Sequence, residues 1–94
     1  MNNRYPPVER DERLVHDLLA QQPWPASVLS YELECHNDST GDPALWVWLD
    51  VRDRELFRFP KRREEVRHFM SEVGRQALAR GVSRWPYVNL REKG

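Results

Sequence analysis

Two periodicities take turns along the chain, and their order predicts the fold. Over 8–22, "VERDERLVHDLLAQQ" places Val8, Val15, Leu18 and Leu19 on one side of a 3.6-residue repeat, with Leu14 flanking the stripe. Pro6 and Pro7 suit the opening of such a helix, and Pro23 and Pro25 end it by breaking the hydrogen-bond ladder. At 27–36, "SVLSYELECH" switches to a period of two. Leu29, Tyr31, Leu33 and Cys35 fall in one phase, and Ser30, Glu32, Glu34 and His36 in the other. That is the pattern of a strand with one wet face. The run "NDSTGDP" is a turn built by Asn37, Asp38, Gly41 and Pro43, and "PALWVWLDVRD" returns as a second strand. "RDRELFRF", at 52–59, reads equally as a strand extension or as an apolar linker. Pro60 opens a second helix with Val66, Phe69, Met70, Val73 and Ala77 on one stripe and Gly81 as its terminator. "SRWPYVNLRE" is the last strand, and Pro86, which has no backbone donor, means that it either lies at a sheet edge or begins after that residue.

These elements predict one α+β domain spanning 1–94, with 1–5 flexible, in the order α-β-β-α-β. The expected architecture is a small mixed sheet with two helices packed on one face. The helical stripes would bury against Leu29, Tyr31, Leu33, Leu45, Val47, Leu49, Val88 and Leu90. Strands one and two should form an antiparallel hairpin. The last strand should run parallel to the second, either beside it or on the far side of the first.

The second strand does not alternate cleanly. Leu45, Val47, Leu49 and Val51 occupy one phase, but Trp46 and Trp48 occupy the other, so both faces are apolar. With the helices over the aliphatic phase, the indoles project from the bare side, joined by Tyr87 and Trp85. Glu32, Glu34, Asp50, Asn89 and Arg91 surround them. An aromatic centre with a charged rim is the composition of a protein–protein contact. The expected partner-binding residues are therefore Trp46, Trp48, Trp85, Tyr87, Glu32, Glu34 and Arg91, facing another protein or a second copy in a homodimer. Two alternatives remain open: the rings lie flat under the stems of Arg52 and Arg91, or a loop folds over them.

Charge and cysteine content narrow the partners. Fifteen basic and fifteen acidic residues cancel, giving no overall attraction to nucleic acid or to an anionic membrane. The single cysteine excludes an internal disulfide framework, and no apolar leader or membrane-length run is visible. A cytoplasmic protein is expected. Candidate chemistry is thin. His16 and His68 fit solvated helix faces, and no spacing resembles a zinc site. In "CHNDSTGD", His36 with Asp38 or Asp42 could form an acid–base pair, but Cys35 and His36 point to opposite faces. Lys61, Arg62, Arg63 and Arg67 surround a helix start whose free amides favour anions, which makes a small RNA-binding protein or ribonuclease the alternative reading. Neither catalysis nor a cofactor is expected.

"NDSTGDPALWVWL", followed after a helix by "RWPYVNLR", resembles a group of small bacterial proteins. In that group a DSTGDPA turn leads into a tryptophan-rich strand and a WPYV-x-x-R segment follows the second helix. The resemblance covers roughly 31–91, mapping onto Asp38, Ser39, Thr40, Gly41, Asp42 and Pro43, and onto Trp85, Pro86, Tyr87, Val88 and Arg91. It implies association with HEPN-type proteins, a class that includes toxin ribonucleases, and hence an antitoxin-like or immunity-type role. It supplies no catalytic residues.

Overall fold

The computed structural model describes residues 6–52, 56 and 58–93. Helix α1 spans Val8–Gln21, strand β1 Val28–Asn37, strand β2 Pro43–Val51, helix α2 Pro60–Ala79 and strand β3 Trp85–Glu92. This is the expected α-β-β-α-β order. The readings of 1–5 as flexible and of 53–55 and 57 as strand or linker lie outside the described residues. Leu56 and Arg58, the described residues within that segment, are helical rather than extended, which corrects the strand reading there, and Leu56 is buried in the core.

The sheet has the order β1-β2-β3. β1 and β2 pair antiparallel, with Tyr31 opposite Leu49, Leu33 opposite Val47 and Cys35 opposite Leu45. β3 lies parallel to β2, with Val47 opposite Val88 and Trp48 opposite Asn89. Of the two sequence-compatible places for the last strand, it takes the one beside β2. The most apolar strand is therefore central, and Pro86 stands on an edge strand where a missing donor costs least.

Val15, Leu18 and Leu19 from α1 and Val66, Phe69, Val73 and Ala77 from α2 form one core with Leu45, Val47, Leu49 and Val51. Both helices thus cover the aliphatic phase of β2. Trp24 closes this core at the end of α1. Its Nε1 donates to the Leu19 carbonyl at 2.8 Å, and its ring packs against Tyr31 at 5.4 Å and Phe69 at 5.1 Å. Gly81 ends the second helical segment with φ +89°, a left-handed conformation that glycine adopts without strain.

Two expected core positions are corrected. Leu29 is 48% exposed, and Leu90 is 39% exposed. At Leu29 the cause is a register shift: Val28 faces Val51, but Ser30 already faces Asp50, so Leu29 is the extra residue of a β-bulge. Val28 takes its place in the core. Leu90 sits near the end of the edge strand β3, beside a groove lined by Val66, Met70 and Arg67, where among the described residues no strand covers its outer side.

Asp11 is the polar exception inside the core. It is fully buried on α1 and reaches the connection between α2 and β3. It accepts from the Ser83 amide at 3.3 Å, the Ser83 hydroxyl at 2.8 Å, the Arg84 amide at 3.2 Å and Arg84 Nη1 at 2.9 Å. Burial alone would raise its pKa, but the bonds from Ser83 and Arg84 outweigh burial and hold the carboxyl below its ordinary value. Among the described residues, no helix is long and apolar enough to cross a membrane.

Candidate functional site

The face of the sheet opposite the helices carries three cross-strand rows. Glu34, Trp46 and Tyr87 are in register, then Glu32, Trp48 and Asn89, then Ser30, Asp50 and Arg91. The indoles therefore point away from both helices, as the phase of β2 requires.

The rings neither lie flat nor stand apart. His36 from β1 stacks on Trp46 at 4.8 Å between centroids and 14° between planes. Tyr87 from β3 stacks on Trp46 at 4.6 Å and 18°. Neighbouring strands are about 4.7–4.9 Å apart, so rings this close and this parallel must stand upright on adjacent strands. Trp46 is held between the other two, and Trp48 continues the same orientation along β2 at 6.0 Å and 12°. The row presents ring edges outward and uses its faces internally. The Arg91 guanidinium lies 5.9 Å from the centroid of Trp48. The Arg91 part of the shielding alternative therefore holds for Trp48, whereas Arg52 is exposed just beyond the end of β2.

Polar groups fix the two ends of this row. At one end, Arg91 Nε donates to Asp50 Oδ1 at 2.8 Å and Arg91 Nη1 to Glu32 Oε1 at 2.9 Å. The Ser30 hydroxyl donates to Asp50 Oδ2 at 2.7 Å, and Lys93 Nζ lies 3.9 Å from Asp50. Bonds from Arg91 and then Ser30 depress the Asp50 pKa, while Asp50 and Glu32 keep Arg91 firmly protonated. At the other end, Asp38 organises the turn. Its Oδ1 accepts from the Thr40 hydroxyl at 2.7 Å, the Thr40 amide at 2.9 Å and the Asp42 amide at 3.1 Å. Its Oδ2 accepts from the Tyr87 hydroxyl at 2.9 Å. The Thr40 and Tyr87 bonds pull the Asp38 carboxyl down to about 2, and the same contact raises the Tyr87 phenol. Between the ends, Trp48 Nε1 and Asn89 Nδ2 are buried donors with no hydrogen-bond partner among the described residues.

The other candidate residues do not assemble into a second site. His36 lies 3.6 Å from Glu34, donates through Nδ1 to the Asn37 carbonyl at 3.1 Å and is stacked on Trp46. Asp38 is engaged with Thr40 and Tyr87, and Asp42 with Thr40, so among the described residues His36 forms an acid–base pair with neither. Cys35 points into the half-buried inner phase, where burial raises its thiol pKa and keeps it protonated. His16 shares a 2.6 Å hydrogen bond with the Tyr31 hydroxyl. At the start of α2 the expected free amides are largely used. Pro60 has none, and the amides of Arg62 and Arg63 donate to the Phe59 carbonyl at 2.9 and 3.2 Å. Arg62 lies 5.2 Å from the Phe59 centroid, Arg63 and Arg67 border the groove beside Leu90, and Lys61 is exposed. Among the described residues, no group of three or more His, Cys, Asp or Glu side chains could hold a metal ion.

Sequence reasoning placed Trp46, Trp48, Tyr87, Glu32, Glu34 and Arg91 on one face and missed how they are joined. His36, considered only as one half of a possible acid–base pair, is part of the ring row. Asp38 was assigned to a turn and also anchors Tyr87. The available signal was the outward phase that His36 shares with Glu34. No family model, no curated protein and no solved structure matches this chain.

Proposed function

We propose that this chain is a non-catalytic module that binds another protein through the helix-free face of its sheet, with an antitoxin-like or immunity-type role. The observation that carries this reading is the upright row His36–Trp46–Tyr87, continued by Trp48, on a face that neither helix covers. A small domain has few large side chains to spare for water, and aromatic rings are concentrated at the centres of protein contacts. A row already stacked is rigid before it meets a partner, so little side-chain entropy is lost on docking. The same stacking speaks against base recognition on this face. Sequence-tolerant binding of single strands needs an open ring face, and Trp46 has His36 on one side and Tyr87 on the other.

The test is co-expression with the product of the adjacent gene, followed by size exclusion of the wild type and of the Trp46→Ala/Trp48→Ala variant. The wild type should elute as a complex, and the variant, still folded by circular dichroism, should elute alone. A complex that survives both substitutions rejects this face. A chain that light scattering shows to be a dimer by itself, and that loses the dimer with the same substitutions, makes the partner a second copy.

A further inference from the structure

The docking face is electrically lopsided, and this bears on what it can meet. Its arginine and lysine contacts all lie at the Asp50 end. There Arg91 neutralises Asp50 and Glu32, and Lys93 adds a longer contact to Asp50. The turn end carries Glu34, Asp38 and Asp42. Among the described residues, no lysine or arginine forms an ion pair with any of the three. Asp38 is satisfied by hydroxyl and amide donors, and the Asp42 carboxylate accepts only a 3.1 Å contact from the Thr40 hydroxyl, whose single proton also serves Asp38. Beside them, between the turn, β3 and the end of α2, lies a cleft of about 500 Å³. Asp38, Thr40, Asp42, Leu78, Trp85 and Tyr87 line it. Trp85 is 56% exposed there, and Leu78 is exposed as well.

We propose that this end of the face receives an arginine or lysine side chain from a protein partner, with its apolar stem against Trp85 and Leu78 and its charged head at Asp42. This rests on the reading of the sheet face as a protein-binding surface and specifies the chemistry of the partner. A basic side chain suits every part of the cleft. Its methylenes cover apolar surface while the head stays polar, an indole face attracts a cation, and Asp38 and Asp42, which pair with no lysine or arginine among the described residues, supply the opposite charge. A phosphate backbone would be repelled by the same carboxylates. A second copy docked through the same face is a poor occupant, because it would bring the same acidic turn and, from that face, only Arg91 and Lys93, already held by Asp50 and Glu32.

Two capped peptides of equal length provide the probe, one carrying arginine and the other its uncharged isostere citrulline at the same position. Binding is followed by tryptophan emission and by the indole N–H resonances of the protein. The arginine peptide should bind saturably and shift the Trp85 resonance. Its affinity should fall roughly tenfold with citrulline, with Asp42→Asn, and on raising salt from about 0.05 to about 0.5 M. Trp85→Ala, at a site exposed enough to leave folding intact, should weaken it as well. Equal affinity for both peptides, or binding of neither, overturns the proposal. So does a dimer of the isolated chain that Asp42→Asn dissociates, since the occupant is then a second copy. If Trp46→Ala/Trp48→Ala abolishes the partner complex while Asp42→Asn and Trp85→Ala leave it intact, the face stands and only the basic side chain is rejected.

Discussion

A carboxylate taken out of water costs several kcal/mol unless donors replace the lost hydration. Asp11 meets that condition through Ser83 and Arg84, which lie far along the chain from α1. Asp11→Ala leaves the Arg84 guanidinium buried without this carboxylate and should cost about 3–5 kcal/mol, whereas Ser83→Ala should cost only about 1 kcal/mol. Urea unfolding midpoints at unchanged slope read both. Asp11 was visible in the sequence as an acidic residue on the apolar stripe of α1, four before Val15 and seven before Leu18. What the sequence could not give was its partners, because they lie more than seventy residues further along the chain, in the connection between α2 and β3. Asp38 makes a second prediction, in pH. Its folded pKa of about 2 lies below the ordinary 3.8, so the Thr40 and Tyr87 bonds contribute stability that is complete above the higher value. That contribution is lost as pH falls from near 4 through about 2. Tyr87→Phe should therefore flatten the acid limb of a thermal-melt series in this window. An unchanged limb would show that the Tyr87 hydroxyl does not hold Asp38.

At the scale of elements, the bulge in β1 decides which leucines matter. Leu29 and Leu49 are both leucines in strands, but the first is exposed at the bulge and the second is fully buried under the helices. Leu29→Ser should change stability by less than about 0.5 kcal/mol, and Leu49→Ala should cost about 2–5 kcal/mol. The number, type and order of strands and long helices were legible because each segment holds a single period: 3.6 residues in α1 and α2, two in β1. The bulge was not legible. Reading a strand by alternation assumes constant register, and one extra residue violates that without leaving a glycine or a proline as a mark. The exposure of Leu90 escaped for a similar reason. Its phase is correct, but its depth depends on what lies beyond an edge strand.

For the whole molecule, the one-sided architecture explains the double-faced apolar character of β2. Its aliphatic phase serves the helices, and its indole phase serves the rings contributed by β1 and β3. The phase of Trp46 and Trp48 could be read from the sequence, but the stacking could not. That stacking needs His36 brought to one side of Trp46 by the hairpin and Tyr87 to the other by a strand distant in the chain, and it depends on β3 lying beside β2 rather than beyond β1. The ring row and the acidic cleft are both properties of the assembled molecule, since no single element carries either surface.

The parallel placement of β3 also governs timing. The β1–β2 hairpin closes over a short turn, whereas β3 reaches β2 only across the long crossover through α2, a contact of high sequence separation that is expected to form later. Tyr87, Trp85 and Arg91 all arrive with that late strand, as do the Ser83 and Arg84 donors to Asp11. A chain in which β3 had not yet docked would display its indoles without Tyr87 and without Arg91. The proposed recognition surface comes into being only with the last piece of the core, and any partner that reads it also selects against immature copies.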